Sequence, residues 1–516
     1  MMTHAIDREV RHEVPFGDSA STLFAGQFLL GPELPQSLPS WERYALGDGL
    51  ALTVHPQLPV HTVSQGDRSL TLVGFALDPD LPTADDTDIL LHLLERYASI
   101  DSLIAATAQL GGRWVLIAQA GDARHLFHDA LGLRQAFYTD PRVTTGLWVM
   151  SQPGLALEVL NLTPAREALE FIDSFEFRSF AEYRWPAAAS PLQELRRLQP
   201  NHVLDLHSGK VRRFWPTVPM RRPPIACAIA NVTRLLTGLV KAAAHRYDLA
   251  LALTAGIDSR VVLAASREVS HRISYVTVRQ ARMADDHPDV VVPARLLNRL
   301  GLPGEIVRAR ASMSPVFSWV YKRSVFLAHD HYGPDAEAIL RRFGRRKTVI
   351  TGSGAEVARC SFRDVYAFAR WRRPSARDLA RLQQMGEHPL AIRHFGEWLE
   401  DARCRDYVPV LDLFEWEQGH GSWLASTQLE FDIAWRDIFT PYNCRAVLSE
   451  LLGVEERHRR APRHTLFRRI AETMWPDVLS EPINPGKPKD HARHLFGVWR
   501  KRIGWEMRGR LGALWH

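Results

Sequence analysis

The stretch Asp248-Leu-Ala-Leu-Ala-Leu-Thr-Ala-Gly-Ile-Asp-Ser-Arg260 decides the fold. Leu249 to Leu253 is an apolar run that reads as a buried parallel strand. It ends in a turn of small residues, Thr254-Ala255-Gly256-Ile257. Asp258 and Ser259 then open a helix whose apolar side is Val261, Val262 and Leu263. A strand, a tight turn and a helix N-terminus bring backbone amides and the positive end of a helix dipole to one point, where phosphate is favoured. The spacing is not the Gly-x4-Gly-Lys-Ser/Thr of an ordinary P-loop.

Working outward, the segments after Ile225 alternate between helix and strand. A long amphipathic helix is expected from Ile225 to Arg246, a second strand over Ile273–Val278, and a helix from Pro288 to Leu300. A strand over Glu305–Ala309, a helix over Pro334–Phe343 and a strand over Thr348–Thr351 follow. Such alternation implies a parallel sheet covered on both faces, with ligands beyond the carboxyl ends of its strands. Thr254–Ser259, Thr277–Arg282 and Gly352–Glu356 fall at those ends, and the chain after about residue 360 reads as largely helical.

Residues before 220 read differently. Short apolar segments at Thr22–Leu29, Ala51–Val54, Ser69–Phe75 and Trp114–Ala118 are separated by Gly, Pro and Asp turns, with one helical segment from Asp88 to Leu110. The Pro-rich stretch Trp215–Pro224 marks the boundary, giving domains 1–220 and 221–516. A chain of 516 residues is too long for a single core in any case.

Composition is that of a globular protein, 46% hydrophobic and 24% charged. No apolar run approaches a membrane span of about 20 residues, and the N-terminus lacks a secretory apolar core. Four cysteines, at 227, 360, 404 and 444, form no close-set pair or zinc pattern, which suggests a reducing cytoplasm. The net charge of +6 resides largely in late arginines. No nucleic-acid motif accompanies them, so a solvated helical face is the simpler reading.

The turn Thr254–Ser259 resembles the Ser-Gly-Gly-x-Asp-Ser loop of the ATP pyrophosphatases, with Thr254 for Ser and Ala255 for Gly. Gly352-Ser-Gly-Ala-Glu356 resembles the Gly-x-Gly-x-Asp motif of class B asparagine synthetases, with Glu356 for Asp. Gly111–Ala120 and His125–Tyr138 resemble the "Gly-x-Phe-Ala … Asp-x-Leu-Gly-x-Arg-x-Leu-Tyr-Tyr" segment of that family's glutaminase-like half. Leu192–Trp215 resembles the bridge between its halves, and Phe439-Thr-Pro-Tyr-Asn-Cys-Arg445 the "Arg-x-Pro-Phe-Leu-Asp" region that packs beside its synthetase site.

The resemblance implies an α+β, Ntn-type sandwich of antiparallel sheets. An α/β ATP-pyrophosphatase domain of the adenine nucleotide α-hydrolase kind, with a helical C-terminus, would follow it. It implies ATP held by Thr254, Ala255, Gly256, Ile257, Asp258, Ser259, Thr277, Val278, Gly352, Ser353 and Gly354, with Arg279 close by, and Mg²⁺ held by Asp258 and Glu356. Two carboxylates suit a hard cation that keeps water and phosphate oxygens as its other ligands. A lysine from Pro482–Lys489 would stabilise the developing charge, Lys487 being the first choice and Lys489 the second. The general base is open, with Glu430 and Asp432 as guesses. Asp289 matches a frequent family Asp and also suits a helix N-terminus. Asp285-Asp-His-Pro-Asp289 and His329-Asp-His331 fit no zinc spacing and read as caps and loop polars.

Working glutaminases of the family carry a nucleophilic Cys after the initiator Met. Here position 2 is Met, and no cysteine precedes Cys227, while Thr3 would serve only after unusual processing. Glutamine is therefore not the expected nitrogen donor. The leading expectation is an ATP-dependent ligase that adenylates a carboxylate for attack by an amine. The layout is similar to lasso-peptide macrolactam synthetases and β-lactam synthetases. Ser353 stands where the latter have Tyr, which counts against β-lactam formation. The expected partners are a small or peptide substrate bearing acid and amine, a precursor peptide and a pathway protease. Neither nucleic acid nor membrane is expected. Amidation of a small or sugar acid with ammonia, and a catalytically degenerate binding protein, remain open. A tRNA-modifying ATP pyrophosphatase is disfavoured by the glutaminase-like half.

Overall fold

The computed structural model describes residues 22–485 apart from 34, 36, 39, 48, 181, 361, 363–372 and 404–406. Lys487 and Lys489 lie outside the described residues, as does Thr3.

Twelve strands build the first half: β1 (Phe28–Gly31), β2 (Glu42–Ala45), β3 (Ala51–Val54), β4 (Val60–Gln65), β5 (Arg68–Leu77), β6 (Gly111–Ala120), β7 (Ala123–His128), β8 (Phe137–Thr139), β9 (Val149–Met150), β10 (Leu195–Arg197), β11 (His202–Asp205) and β12 (Val211–Arg213). They form two six-stranded antiparallel sheets, ordered β10-β8-β9-β1-β3-β2 and β12-β11-β7-β6-β5-β4. Side chains alternate between the two faces of a strand. On β6, Val115 and Ile117 face inward against Phe28, Leu30, Leu52 and Leu126, which join the two sheets. Trp114 and Leu116 face outward onto helix α1 (Asp86–Glu95) through Ile89, Leu90, Leu93 and Leu94.

The single helix expected over Asp88–Leu110 is divided. Helix α1 stops at Arg96, Ser99 caps a second helix over Ile100–Ala106, and a 3₁₀ turn completes the segment. The reason is local: the Ser99 hydroxyl accepts from the Ser102 N–H while Ser102 accepts from the Ser99 N–H. Such a capping box starts a helix and cannot sit inside one. Residues 22–26 form turns rather than the expected strand, and β1 begins at Phe28.

The second half is built on β13 (Leu249–Ala252), β14 (Ile273–Arg279), β15 (Gly304–Arg308), β16 (Thr348–Ile350) and β17 (Asp437–Phe439). All neighbours pair parallel, in the order β15-β14-β13-β16-β17. Leu249 and Leu251 pack on one face with α2 (Ile225–Arg246), α3 (Ile257–Ala265), α7 (Arg445–Gly453) and α8 (Thr465–Met474). Ala250 packs on the other with α5 (Pro315–Ser324) and α6 (Gly333–Phe343), while α4 (Pro288–Arg299) joins β14 to β15. Burial on both faces explains why β13 reads as a continuous apolar run rather than an alternating one.

By length and composition α2 alone, among the described residues, is apolar enough to cross a membrane, with a mean hydropathy of 1.4 in its best window. Here Val232, Leu235, Leu236, Leu239 and Val240 are buried in the core. Gly238 sits where a Cβ would meet the Pro79 carbonyl oxygen at 2.3 Å, so the helix lies directly against the antiparallel half. The halves are also tied by charge. Arg113 of β6 donates to Asp432 at 2.5 and 2.9 Å, and Arg134 donates to Asp437 at 2.8 Å.

Candidate functional site

Two loops meet at the carboxyl ends of β13 and β16. Helix α3 starts at Ile257, with Gly256 as its N-cap and no side-chain capping bond. Its first-turn N–H groups are the ones a bound anion would meet. The three amides before it are already used. The Thr254 N–H donates to Ser259 Oγ at 3.3 Å, the Ala255 N–H to Asp289 Oδ1 at 2.9 Å, and the Gly256 N–H to Thr254 Oγ1 at 3.2 Å. Asp289 of α4 thus braces the turn, a contact that the expectation of an N-terminal helix carboxylate did not include.

The second loop packs on the first without a gap. A Cβ on Gly352 would lie 2.6 Å from the Ser259 nitrogen, so only glycine allows this approach. Gly354 has φ +100°, in the left-handed region. Its N–H donates to Glu356 Oε2 at 2.9 Å, which folds Glu356 back over the loop. Thr440, just past β17, donates to the Ser353 carbonyl at 2.5 Å and fixes the outer side.

Asp258 and Glu356 are brought together. Arg359 bridges them, with Nη1 2.9 Å from Asp258 Oδ2 and Nη2 3.5 Å from Glu356 Oε1. His420 stands 3.4 Å from Glu356 Oε2, and its other ring nitrogen faces the Glu415 carbonyl at 3.0 Å. Both nitrogens face oxygen acceptors, an arrangement that favours the doubly protonated ring. Burial pulls the His420 pKa down, but the bond to Glu356 and the charges of Glu415 and Glu356 outweigh it and raise it. Burial pushes Asp258 up to about 7, with Glu356 adding to the rise and Arg359 and His420 opposing it. Glu356 moves down: burial acts against this, but the His420 bond and the charges of His420 and Arg359 prevail.

Three polar atoms here are buried without a hydrogen-bond partner: Asp258 Oδ1, Arg359 Nε and the Tyr442 hydroxyl. Burial, then Asp258 and Glu356, raise the Tyr442 pKa far above its ordinary value. An unsatisfied buried polar group costs roughly 1–3 kcal/mol, so three at one point mark a place where a ligand would complete the bonding. Among the described residues no group of three or more His, Cys, Asp or Glu is arranged for a metal. The carboxylate pair still fits a hard cation completed by phosphate oxygens and water, because Asp258 Oδ1 is free for it.

Thr277 is buried at the next strand end, where its hydroxyl donates to the Leu253 carbonyl at 3.2 Å, and Val278 follows it on β14. Arg279 pairs with Asp285. The tail crosses the turn: the Asn484 N–H donates to the Ala255 carbonyl at 3.0 Å, and Arg260 donates to the Pro482 carbonyl at 2.5 Å.

The guessed bases are corrected. Glu430 is buried and accepts from the Tyr321 hydroxyl and, at 2.5 Å, from His329. Asp432 is the buried counter-ion of Arg113. Both carboxylates are engaged by buried partners: Tyr321 and His329 for Glu430, and Arg113 for Asp432. In the two Asp/His clusters, Asp285 pairs with Arg279 and Arg308, His287 caps α4, and His329 binds Glu430. Arg359, His420 and Tyr442 were missed. Arg359 follows Glu356 by one 3₁₀ turn, a short-range signal. His420 comes from a π-helical stretch, Glu415–Leu424, whose register no sequence period shows.

No family model matches the chain, and a search of curated proteins finds no relative. Solved structures give two weak likenesses. An allosteric regulatory enzyme of purine biosynthesis is 13% identical, over 60% of this chain and 75% of its own, with a TM-score of 0.23. A glutamine phosphoribosylpyrophosphate amidotransferase from B. subtilis, solved with ADP and GMP, is 11% identical over 66% and 72%, with a TM-score of 0.22. Likeness at that level leaves the reading of the site to its own geometry.

Proposed function

We propose that the chain is an ATP-dependent, AMP-forming amide synthetase. The observation that carries this reading is the meeting of Asp258 and Glu356 at adjacent parallel strand ends, beside the uncapped start of α3 and three unsatisfied buried polar atoms. A nucleotide triphosphate laid across α3 would place its phosphates on the first-turn amides. Mg²⁺ held by Asp258 and Glu356 would neutralise the departing pyrophosphate. A substrate carboxylate oxygen would bond to the α-phosphorus as the bond to the pyrophosphate oxygen breaks. An amine would then attack the acyl carbon, lose a proton and release AMP. Catalysis would come from positioning and charge neutralisation.

Lys487 and Lys489 keep their proposed roles. The Asn484 N–H is bonded to the Ala255 carbonyl of the turn, and Lys487 and Lys489 follow it in sequence by three and five residues. The substrate class proposed is a peptide or natural product carrying both acid and amine, as in lasso-type macrolactam formation, with a precursor peptide and a protease as pathway partners. Arg359 supports a second reading, a binding protein without turnover, because a guanidinium already neutralises the carboxylate pair.

The test is AMP and pyrophosphate release from ATP with Mg²⁺, using cell extract or candidate peptides, in wild type and Asp258→Ala. Release that is lost in the variant supports the synthetase. Nucleotide binding without release supports the binding protein. Folded protein that binds no nucleotide overturns both.

A further inference from the structure

A second site lies at the opposite edge of the parallel sheet. A cavity of about 910 Å³ opens between the halves at the amino ends of β13, β16 and β17. Tyr247 precedes β13 and Thr254 follows it, so the cavity is separated from the turn by roughly 20 Å of extended chain. Crevices between domains are preferred places for small ligands.

Its charge is unbalanced. Arg246, Arg345, Arg346 and Arg436 are among its lining residues. The acids that also line it are engaged. Asp86 accepts from the Ala76 N–H at 2.8 Å and from Arg246. Asp437 is held from behind by Arg134 and Arg113. Asp85 caps α1. Arg345, Arg346 and Arg436 form no ion pair with a described carboxylate. Arg345 donates only to the Trp435 carbonyl, at 3.4 Å, Arg346 to the Phe343 carbonyl at 3.2 Å, and Arg436 lies over the Tyr247 ring at 5.7 Å.

Arg345 is the most telling of the three. Its Nη1 is buried without a partner. It also holds φ +59°, directly after Gly344 at φ +58°. A left-handed conformation costs a non-glycine residue roughly 1–2 kcal/mol, and such strain tends to be kept where a side chain must be aimed. A buried guanidinium nitrogen left without an acceptor costs free energy that an anion reaching it would recover. Next to it, Phe75 and Tyr247 meet edge to face at 5.3 Å and give the cavity an aromatic wall.

We propose that this cavity binds a small phosphate-bearing solute, with Arg345, Arg346 and Arg436 taking the phosphate and the Tyr247 ring facing the uncharged part. Arginine suits phosphate because its planar fork donates two parallel bonds. A volume of about 910 Å³ is in the range of small-ligand clefts, which favours a solute over nucleic acid. The site is independent of the synthetase reading.

The test is calorimetric titration of the full chain with inorganic pyrophosphate. Arg345→Ala/Arg436→Ala should weaken binding at least tenfold, Arg345→Lys/Arg436→Lys should restore part of it, and Gly256→Glu, which puts a like charge in the turn at the other site, should leave it in place. Should the double variant misfold by circular dichroism, Arg436→Glu alone, at an exposed position, carries the test. No binding to wild type, equal binding to wild type and the arginine variants, or loss only in Gly256→Glu would overturn the proposal. So would a single-stranded oligonucleotide that displaces pyrophosphate and binds more tightly than it does.

Discussion

Replacing Asp432 with Ala should cost more than any other single change at the joint between the halves. Arg113 is 1% exposed and donates twice to Asp432, with a third contact to Asp437 at 3.3 Å. Arg134, 2% exposed, shares Asp437 at 2.8 Å. The native arrangement is two buried guanidiniums against two carboxylates. Burial pulls Arg113 towards losing its proton, but Asp432 and Asp437 outweigh that and hold it charged. Without Asp432, two cations share one anion in a place where water cannot replace the loss. Breaking one partner of a buried pair costs about 3–5 kcal/mol, and the second arginine puts this case towards the upper end. Urea unfolding followed by tryptophan fluorescence, with the halves resolved if they separate, gives the loss. Arg113→Met/Asp432→Leu should recover most of it, since the remaining Arg134–Asp437 pair is balanced. An Asp432→Ala protein within about 1 kcal/mol of wild type would refute the reasoning, because it would mean that water reaches Arg113.

Gly352→Ala would push a methyl group to within 2.6 Å of the Ser259 backbone. Overpacking of this kind costs about 1–3 kcal/mol, and it should also lower nucleotide affinity in a binding titration, since it parts Glu356 from Asp258. Asp335, whose pKa burial raises to about 6 despite the bond from Gln280, should be a pH-dependent liability. A raised folded pKa means that its stabilising contribution is complete below the unfolded value and lost as pH rises through about 6, a swing of at most about 3 kcal/mol. Asp335→Asn should therefore raise the melting temperature at about pH 8 but not at about pH 4, and a gain equal at both would count against the assignment. Arg359→Met should tighten Mn²⁺ binding about tenfold, measured by electron paramagnetic resonance, because it removes the cation between the two carboxylates, and an unchanged affinity would refute that role.

The parallel half was legible because its local signals agree with its packing. Leu249–Leu253 is apolar on both faces, and Ile225 and Arg246 bound a helix whose period is unbroken. The fifth strand was not legible: Asp437–Phe439 is three residues long and begins on a charged one. The turn and the Gly352–Glu356 loop were found because glycine and acid at fixed spacing leave a trace in sequence. Arg359, His420 and Tyr442 were not, because their roles come from separate elements meeting in space. Glu430 and Asp432 show the converse, since a carboxylate near a site in sequence can be spent entirely on a buried partner.

The antiparallel half has a task at the candidate site that does not depend on any glutaminase chemistry of its own. The Leu131 N–H donates to Asn443 Oδ1 at 2.8 Å, and Asn443 Nδ2 donates to the Gly112 carbonyl at 2.7 Å. Asn443 therefore satisfies two buried backbone groups of the first half with one side chain of the second. Next to it, Tyr442 and Leu131 are the atoms that a Cβ on Gly354 would meet, at 3.2 and 2.8 Å. The left-handed turn that folds Glu356 towards Asp258 is thus walled by one residue from each half. Trp416, at the start of the stretch that carries His420, donates its indole N–H to the Ala130 carbonyl at 2.7 Å. His420 and Glu356 are in this way placed by contacts to residues 130–131. The carboxylate pair belongs to the parallel sheet in sequence, but its geometry is set by the sandwich packed against it.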